Sequence, residues 1–231
     1  ALAVGQSGEV FAGTGGDGVW RSTPDGRTWT GVTHGMKAAD VLSVLVAADG
    51  GVLAGTAGIG IFRSADKGVT WTRVNPALID ETWATHSMAM NSHGDIFAAW
   101  GGVSRSDDGG VTWPSPYAHT VPCFAFTVAV DNLDRVYAGT SCGIKRSPDN
   151  GDTWTEDVLP GYEIRAMAID STGRIFAGGI NTGLLRSGDY GATWSQVPGF
   201  ESEYWVRAVA ISPNGDVFIS YFTHSAVLRS C

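Results

Sequence analysis

Positive charge is scarce in this chain. Lysine and arginine together number 15 against 23 aspartates and glutamates, and only Lys37, Lys67 and Lys145 are lysines. A formal charge of −8 with no basic run excludes a nucleic-acid surface, which needs clustered cations to neutralise phosphates. No apolar stretch is long enough to cross a bilayer as a helix. The five histidines (His34, His86, His93, His119 and His224) show no metal-ligand spacing. There is no G-x-S-x-G elbow, no phosphate loop and no EF-hand pattern, and the glycines at Gly13–Gly18 read as a turn between strands. Neither a metal nor a cofactor is therefore expected. The chain opens at Ala1 with no methionine and no signal peptide, which reads as processed, truncated or recombinant.

Glycine, with 32 residues, and tryptophan, with nine, are the abundant types in these 231 residues. Short strands separated by glycine turns produce that balance, so one all-β domain over residues 1–231 is expected.

One phrase recurs along the chain. It reads RSTPDGRTW at Arg21–Trp29, RSADKGVTW at Arg63–Trp71 and RSDDGGVTW at Arg105–Trp113, then RSPDNGDTW at Arg146–Trp154 and RSGDYGATW at Arg186–Trp194. The closing tryptophans are 42, 42, 41 and 40 residues apart, and a sixth copy starts at Arg229-Ser230. A second phrase recurs as VFAGT, VLAGT, IFAAW, VYAGT, IFAGG and VFISY. Alternation and glycine punctuation predict four strands per period. In the fifth period these are 164–170, 174–178, 184–187 and 193–197. The sixth shows three, at 206–212, 216–221 and 226–230. One such unit cannot bury both faces, whereas radial stacking does so.

The phrase S-x-D-x-G-x-T-W resembles the Asp-box (BNR) repeat of sialidases, family 74 xyloglucanases, sortilin-type receptors, some fungal lectins and photosystem assembly factors. The resemblance implies a β-propeller of four-stranded antiparallel blades: six visible blades, the last without its fourth strand. A fragment of a longer propeller and closure by another chain are the alternatives. The aspartates Asp66, Asp108, Asp149 and Asp189 read as structural, each accepting backbone N–H bonds in a tight turn. The first copy departs from the pattern, with Pro24 at the aspartate position and Asp25 one place later, so its turn is expected to be bonded differently.

Cys123 and Cys142 flank the hairpin formed by the first two strands of the fourth repeat. With Val130 opposite Val136 they lie at one end of it, one residue out of alignment, which makes them disulfide candidates; two free thiols are the alternative. A bond places the protein in an oxidising compartment, secreted or periplasmic, and leaves Cys231 over.

Ligands of such propellers commonly sit at the mouth of the central channel, so the resemblance directs attention to the blade-to-blade loops and the loops after the second strands. These carry Trp83, His86, Tyr117, His119, Tyr162, Tyr204 and Trp205, then Trp100, Asn181, Tyr221, Phe222 and His224. Unlike the repeated framework they differ between copies, as specificity loops on a rigid scaffold do. Arg165 and Arg207 hold equivalent places at the start of first strands, where Leu42, His86 and Phe126 stand in other repeats. Two arginines there suit a carboxylate or sulfate, and the aromatics suit sugar rings or partner side chains. The alternative is that the arginines pair with Glu163, Glu201 or Glu203 and hold loops.

The sialidase signature Phe/Tyr-Arg-Ile-Pro is absent, and a xyloglucanase needs facing carboxylates from two propellers. The loop acids Asp80, Glu81, Glu163, Glu201 and Glu203 are of an ordinary surface kind. The sequence therefore reads as a non-catalytic secreted binding or scaffold propeller for a glycan or protein partner. A glycoside hydrolase fragment and a structural subunit of an extracellular assembly, self-associating through the open edge of its last blade, are the alternatives.

Overall fold

The computed structural model describes residues 1–36, 39–75, 84–114, 123–155, 158–201, 205–221 and 227–230. Regular structure among them is entirely β, in six antiparallel sheets of three or four strands. The chain divides into two compact units, Ala1–Thr120 and Val121–Cys231.

The first unit holds three sheets. One comprises β1 (Leu2–Val4), β2 (Val10–Gly13), β3 (Val19–Ser22) and β4 (Trp29–Gly31). The next comprises β5 (Val41–Val46), β6 (Val52–Thr56), β7 (Ile61–Ser64) and β8 (Thr72–Arg73). The third comprises β9 (Ser87–Met90), β10 (Ile96–Trp100) and β11 (Gly102–Ser106). Its first strands pack side by side, with β5 between β1 and β9.

The second unit repeats the plan. Its sheets are β12 (Ala125–Val130), β13 (Val136–Thr140) and β14 (Gly143–Ser147), then β15 (Glu163–Ile169), β16 (Ile175–Ile180), β17 (Leu184–Ser187) and β18 (Ser195–Gln196), and finally β19 (Val206–Ile211), β20 (Val217–Tyr221) and β21 (Val227–Ser230). Here β15 packs between β12 and β19.

Four strands per period were expected in the third and fourth repeats, and among the described residues each shows three. In the fourth, Thr155 N–H bonds the Arg146 carbonyl and Val158 N–H the Ile144 carbonyl, both at 2.9 Å. The edge of β14 is therefore met by irregular backbone rather than a ladder. In the third, Pro114 follows the closing tryptophan and brings no N–H.

The second strands are the most buried elements. Every residue of β6, β10 and β13 is buried, and Leu53, Phe97 and Tyr137 on them are fully enclosed. Their repeated glycine has a steric cause. A Cβ on Gly13 would stand 2.5 Å from Val41 Cγ1, on Gly55 2.6 Å from Thr85 Cγ2, on Gly139 2.7 Å from Ile164 Cγ2 and on Gly178 2.6 Å from Val206 Cβ. In each case the start of the next sheet is an obstacle, joined at Gly55 and Gly139 by Ser43 and Thr127 of the glycine's own sheet. A side chain there would hold the sheets apart.

Cys123 and Cys142 are joined by a disulfide. The plain register from Val130↔Val136 to Thr127↔Gly139 leaves them one residue out of alignment, but a β-bulge at Phe126 takes up that residue and sets Ala125 opposite Thr140.

Candidate functional site

Bulges of this kind recur at one place. They interrupt the first ladder between Val41 and Ser43, Ala125 and Thr127, Ile164 and Ala166, and Val206 and Ala208. The extra residues are Leu42, Phe126, Arg165 and Arg207. A bulge leaves one residue outside the pairing and turns its side chain away from the alternation of its neighbours. Beside them the flanking positions Val41, Ala125, Ile164 and Val206 are buried, whereas Leu42, Arg165 and Arg207 are exposed and Phe126 is half-buried. His86 stands just ahead of β9, its N–H bonded to the Ala99 carbonyl at 3.1 Å, and the ladder of β9 with β10 runs without a shift from Ser87 to Met90.

Within the second unit two groups of contacts stand near these positions, one around Arg165 and Phe126 and one around Trp205. The Arg165 guanidinium lies 4.3 Å from the centre of the Phe126 ring. Its Nε and Nη2 both donate to Glu163 Oε1 at 2.6 Å. Phe124 packs against Phe126 with ring centres 5.0 Å apart, tilted by 44°. Trp205 donates its indole N–H to Asn181 Oδ1 at 2.6 Å, linking the loop before β19 to the residue after β16. Asn181 has φ of 54°, a left-handed conformation asparagine tolerates better than most residues. Tyr162 and Trp205 each remain 39% exposed.

Arg165 is thus held by a carboxylate and an aromatic face at once. A partly exposed ion pair contributes about 0–1 kcal/mol and a cation–π contact of this type about 0.5–1 kcal/mol. Those energies suffice to orient the side chain, and Glu163 offsets its charge locally. The result is an aromatic platform with a fixed donor–acceptor pair rather than a bare anion trap.

Other residues singled out from the sequence stand elsewhere. Trp100 and Tyr221, expected in loops, end β10 and β20 and are buried in hydrophobic clusters. The Trp100 indole bonds Ser104 Oγ at 2.8 Å. Each closes its strand, and both rings turn inward. Trp83, Tyr117, His119, His224, Asp80, Glu81 and Glu203 lie outside the described residues, as do Tyr204 and Phe222.

The repeated turn is bonded alike in four copies. Ser64 Oγ donates to Asp66 Oδ1 at 2.7 Å and accepts from Gly68 N–H at 2.7 Å, while Thr70 donates its N–H and hydroxyl to the two carboxylate oxygens at 2.8 and 2.6 Å. Asp108, Asp149 and Asp189 take the same bonds from Ser106 and Thr112, Ser147 and Thr153, and Ser187 and Thr193. Hydrogen bonds from Thr70, Thr153 and Thr193 hold Asp66, Asp149 and Asp189 at about 2, well below the ordinary 3.8. At Asp108 burial works against ionisation, yet the bonds from Thr112 and Ser106 still bring its carboxyl below the usual value. The first copy differs: Asp25 accepts from Thr23 Oγ1 and from Arg27 N–H, and Ser22 Oγ instead accepts from Val10 N–H at 2.9 Å.

A buried network in the second unit escaped the sequence reading. Asp131 accepts Arg135 Nε at 2.7 Å and the Tyr137 hydroxyl at 3.0 Å, and Arg135 stacks 3.9 Å from the centre of the Tyr190 ring. Burial, then the neighbouring Asp131 carboxylate, pushes the Tyr137 phenol upward. The available signal was Tyr190 itself, a bulky residue at a turn position with φ of 58°.

No family model matches the chain, and no curated protein does. Solved structures do. An ancestral GH74 enzyme superposes with a TM-score of 0.75 at 19% identity, covering 98% of this chain and 35% of that one. A catalytically inactive virginiamycin B lyase from Staphylococcus aureus with quinupristin gives 0.75 at 16% identity, covering 99% and 79%. YCF48 bound to D1 peptide gives 0.69 at 18% identity, covering 93% and 72%. The chain spans about a third of the GH74 enzyme's length. The shared fold is that of β-propeller proteins.

Proposed function

We propose that the protein is a non-catalytic binding module, an Asp-box propeller whose six sheets are its blades, taking a glycan or a protein partner on the platform around Phe126, Arg165 and Trp205. The observation that carries this reading is the bulge at successive first strands, which sets Phe126, Arg165 and Arg207 outside the ladder on three neighbouring sheets. Aromatic faces suit sugar rings or apolar side chains, and the Arg165–Glu163 pair offers donors and acceptors to hydroxyls or amides. A ligand carboxylate would have to displace Glu163, so uncharged polar ligands are favoured over anions.

A binding rather than hydrolytic role is supported by the acids. Every carboxyl moved from its ordinary value among the described residues is moved downward, by hydrogen bonds that stabilise the ionised form. A glycosidase general acid requires the opposite shift. The disulfide supports a secreted or periplasmic location.

A glycan and peptide array probed with the wild type and with Phe126→Ala, Arg165→Ala and Trp205→Ala tests the reading. Selective binding that drops about tenfold in each variant is expected, the loss typical of an interface anchor. Binding unaffected by all three would remove the platform from consideration. Turnover of fluorogenic glycosides would instead establish an enzyme.

A further inference from the structure

The turns between second and third strands share a left-handed residue. Three residues ahead of the fully buried Val19, Ile61 and Leu184 stand Gly16, Gly58 and Asn181, with φ of 91°, 79° and 54°. Gly101 fills the same role between β10 and β11, with φ of 78°. Glycine adopts this conformation freely, whereas a residue with a Cβ does so at a cost, which is least for asparagine and aspartate. The sheet of β15–β18 therefore carries a side chain where the backbone favours none.

That side chain stands on a rigid mount. Thr182, only 1% exposed, accepts the Gly179 N–H at 2.7 Å and donates its hydroxyl to the Gly183 carbonyl at 3.0 Å. Gln196 Nε2 donates to the Leu184 and Phe200 carbonyls at 3.0 and 2.6 Å, and Leu184 N–H bonds the Phe200 carbonyl at 2.9 Å. On the far side of the bond, the backbone of Trp205 is held by its neighbour Val206. That residue is buried and seated over Gly178, where a Cβ would stand 2.6 Å from it. Both backbones are thus fixed by other contacts. The 2.6 Å bond from the indole N–H to Asn181 Oδ1 adds a constraint on the rotation of the Trp205 ring.

Stability does not account for this arrangement. The two sheets are already joined by a shared cluster, in which Phe176 and Leu184 meet Val206, Val217 and Ile219, all buried. A hydrogen bond between two exposed side chains adds little to such an interface, because water competes for both partners. A strained position kept for a bond of so little stabilising value is characteristic of a functional site.

We propose that Asn181 is a positioning residue of the platform, whose side-chain oxygen sets the orientation in which the Trp205 ring meets a ligand. The proposal rests on the reading of Trp205 as a platform residue. Asparagine and aspartate combine tolerance of the left-handed corner with an acceptor at this reach, whereas glycine suits the corner and lacks the acceptor. A ring fixed in the free protein spares the ligand the ordering of a mobile side chain.

Asn181→Gly and Asn181→Asp separate the backbone from the side chain. Asn181→Gly relaxes the corner and removes the acceptor, so the melting temperature should stay within about 3 °C of the wild type. In proton–nitrogen correlation spectra the Trp205 indole peak should nevertheless shift, and its exchange with solvent should accelerate. Trp205→Phe identifies that peak among the nine tryptophans. Asn181→Asp should restore the slow exchange. On the glycan and peptide array, Asn181→Gly should weaken the strongest wild-type hit about two- to tenfold, the cost of ordering one side chain on binding, and Asn181→Asp should recover it. A melting temperature lowered well beyond that margin by Asn181→Gly makes the bond structural and overturns the proposal. An indole peak indifferent to Asn181→Gly overturns it too. Binding that is lost in Trp205→Ala but kept in Asn181→Gly overturns the role of Asn181 alone. Binding indifferent to Trp205→Ala, or no binding at all, overturns the platform reading and the proposal with it.

Discussion

At the scale of single residues, the turn aspartates couple stability to pH. Asp66, Asp149 and Asp189 ionise at about 2 in the folded chain against an ordinary 3.8. Between those values the unfolded chain binds more protons, so the stabilisation is fully present above about pH 4 and is lost as pH falls towards 2. Urea midpoints measured from pH 6 down to pH 2 should fall over that window. A triple Asp66→Asn, Asp149→Asn, Asp189→Asn variant should start lower at pH 6 and respond less. Ser147 is buried and bonds both Asp149 and Gly151 N–H. Ser147→Ala, by stranding that N–H, should cost about 1–3 kcal/mol in chemical denaturation. The spacing of serine, aspartate, glycine and threonine made this bonding legible in advance. The pairing of Arg165 with Glu163 was the alternative the sequence offered, whereas its place over the Phe126 ring was not legible, because side chains on neighbouring strands meet only once register is set.

At the scale of elements, the bulge is the deciding feature. It aligns Cys123 with Cys142 and throws Phe126 out of the ladder in the same step. Opening a disulfide across 19 residues releases chain entropy worth about 3 kcal/mol on the loop-closure model. Cys123→Ser with Cys142→Ser should lose about that much in urea unfolding. Non-reducing mass spectrometry should show the native chain lighter than the reduced one by two protons. The second-strand glycines belong to this scale too. Gly139→Val would push against Thr127 and Ile164 and should destabilise by about 1–3 kcal/mol, read as a lowered urea midpoint. Repetition made those glycines visible in the sequence, but part of their reason lies in the next sheet, some 25 residues further on in the case of Gly139 and Ile164.

At the scale of the whole molecule, charge sets the partners. With a net charge of −8 the surface repels polyanions at long range. The protein should pass through heparin and double-stranded DNA columns at physiological salt without retention, and retention would contradict this. The propeller fold is matched across nearly the whole chain by proteins of 16–19% identity. Such proteins share a scaffold that hosts unrelated functions, so activity has to be argued from this chain's own platform.

The sequence by itself determined the repeat, its period, the chemistry of the turn and the glycines between sheets, because these recur locally and each copy confirms the others. Tertiary structure decided which non-repeated residues meet. Trp100 and Tyr221 turned inward with their strands, Arg165 met Phe126 and Glu163, and Arg21, Arg63 and Arg146 found carbonyls in the next sheet. Those outcomes rest on one-residue bulges and on contacts between sheets, and neither leaves a periodic trace in the order of residues.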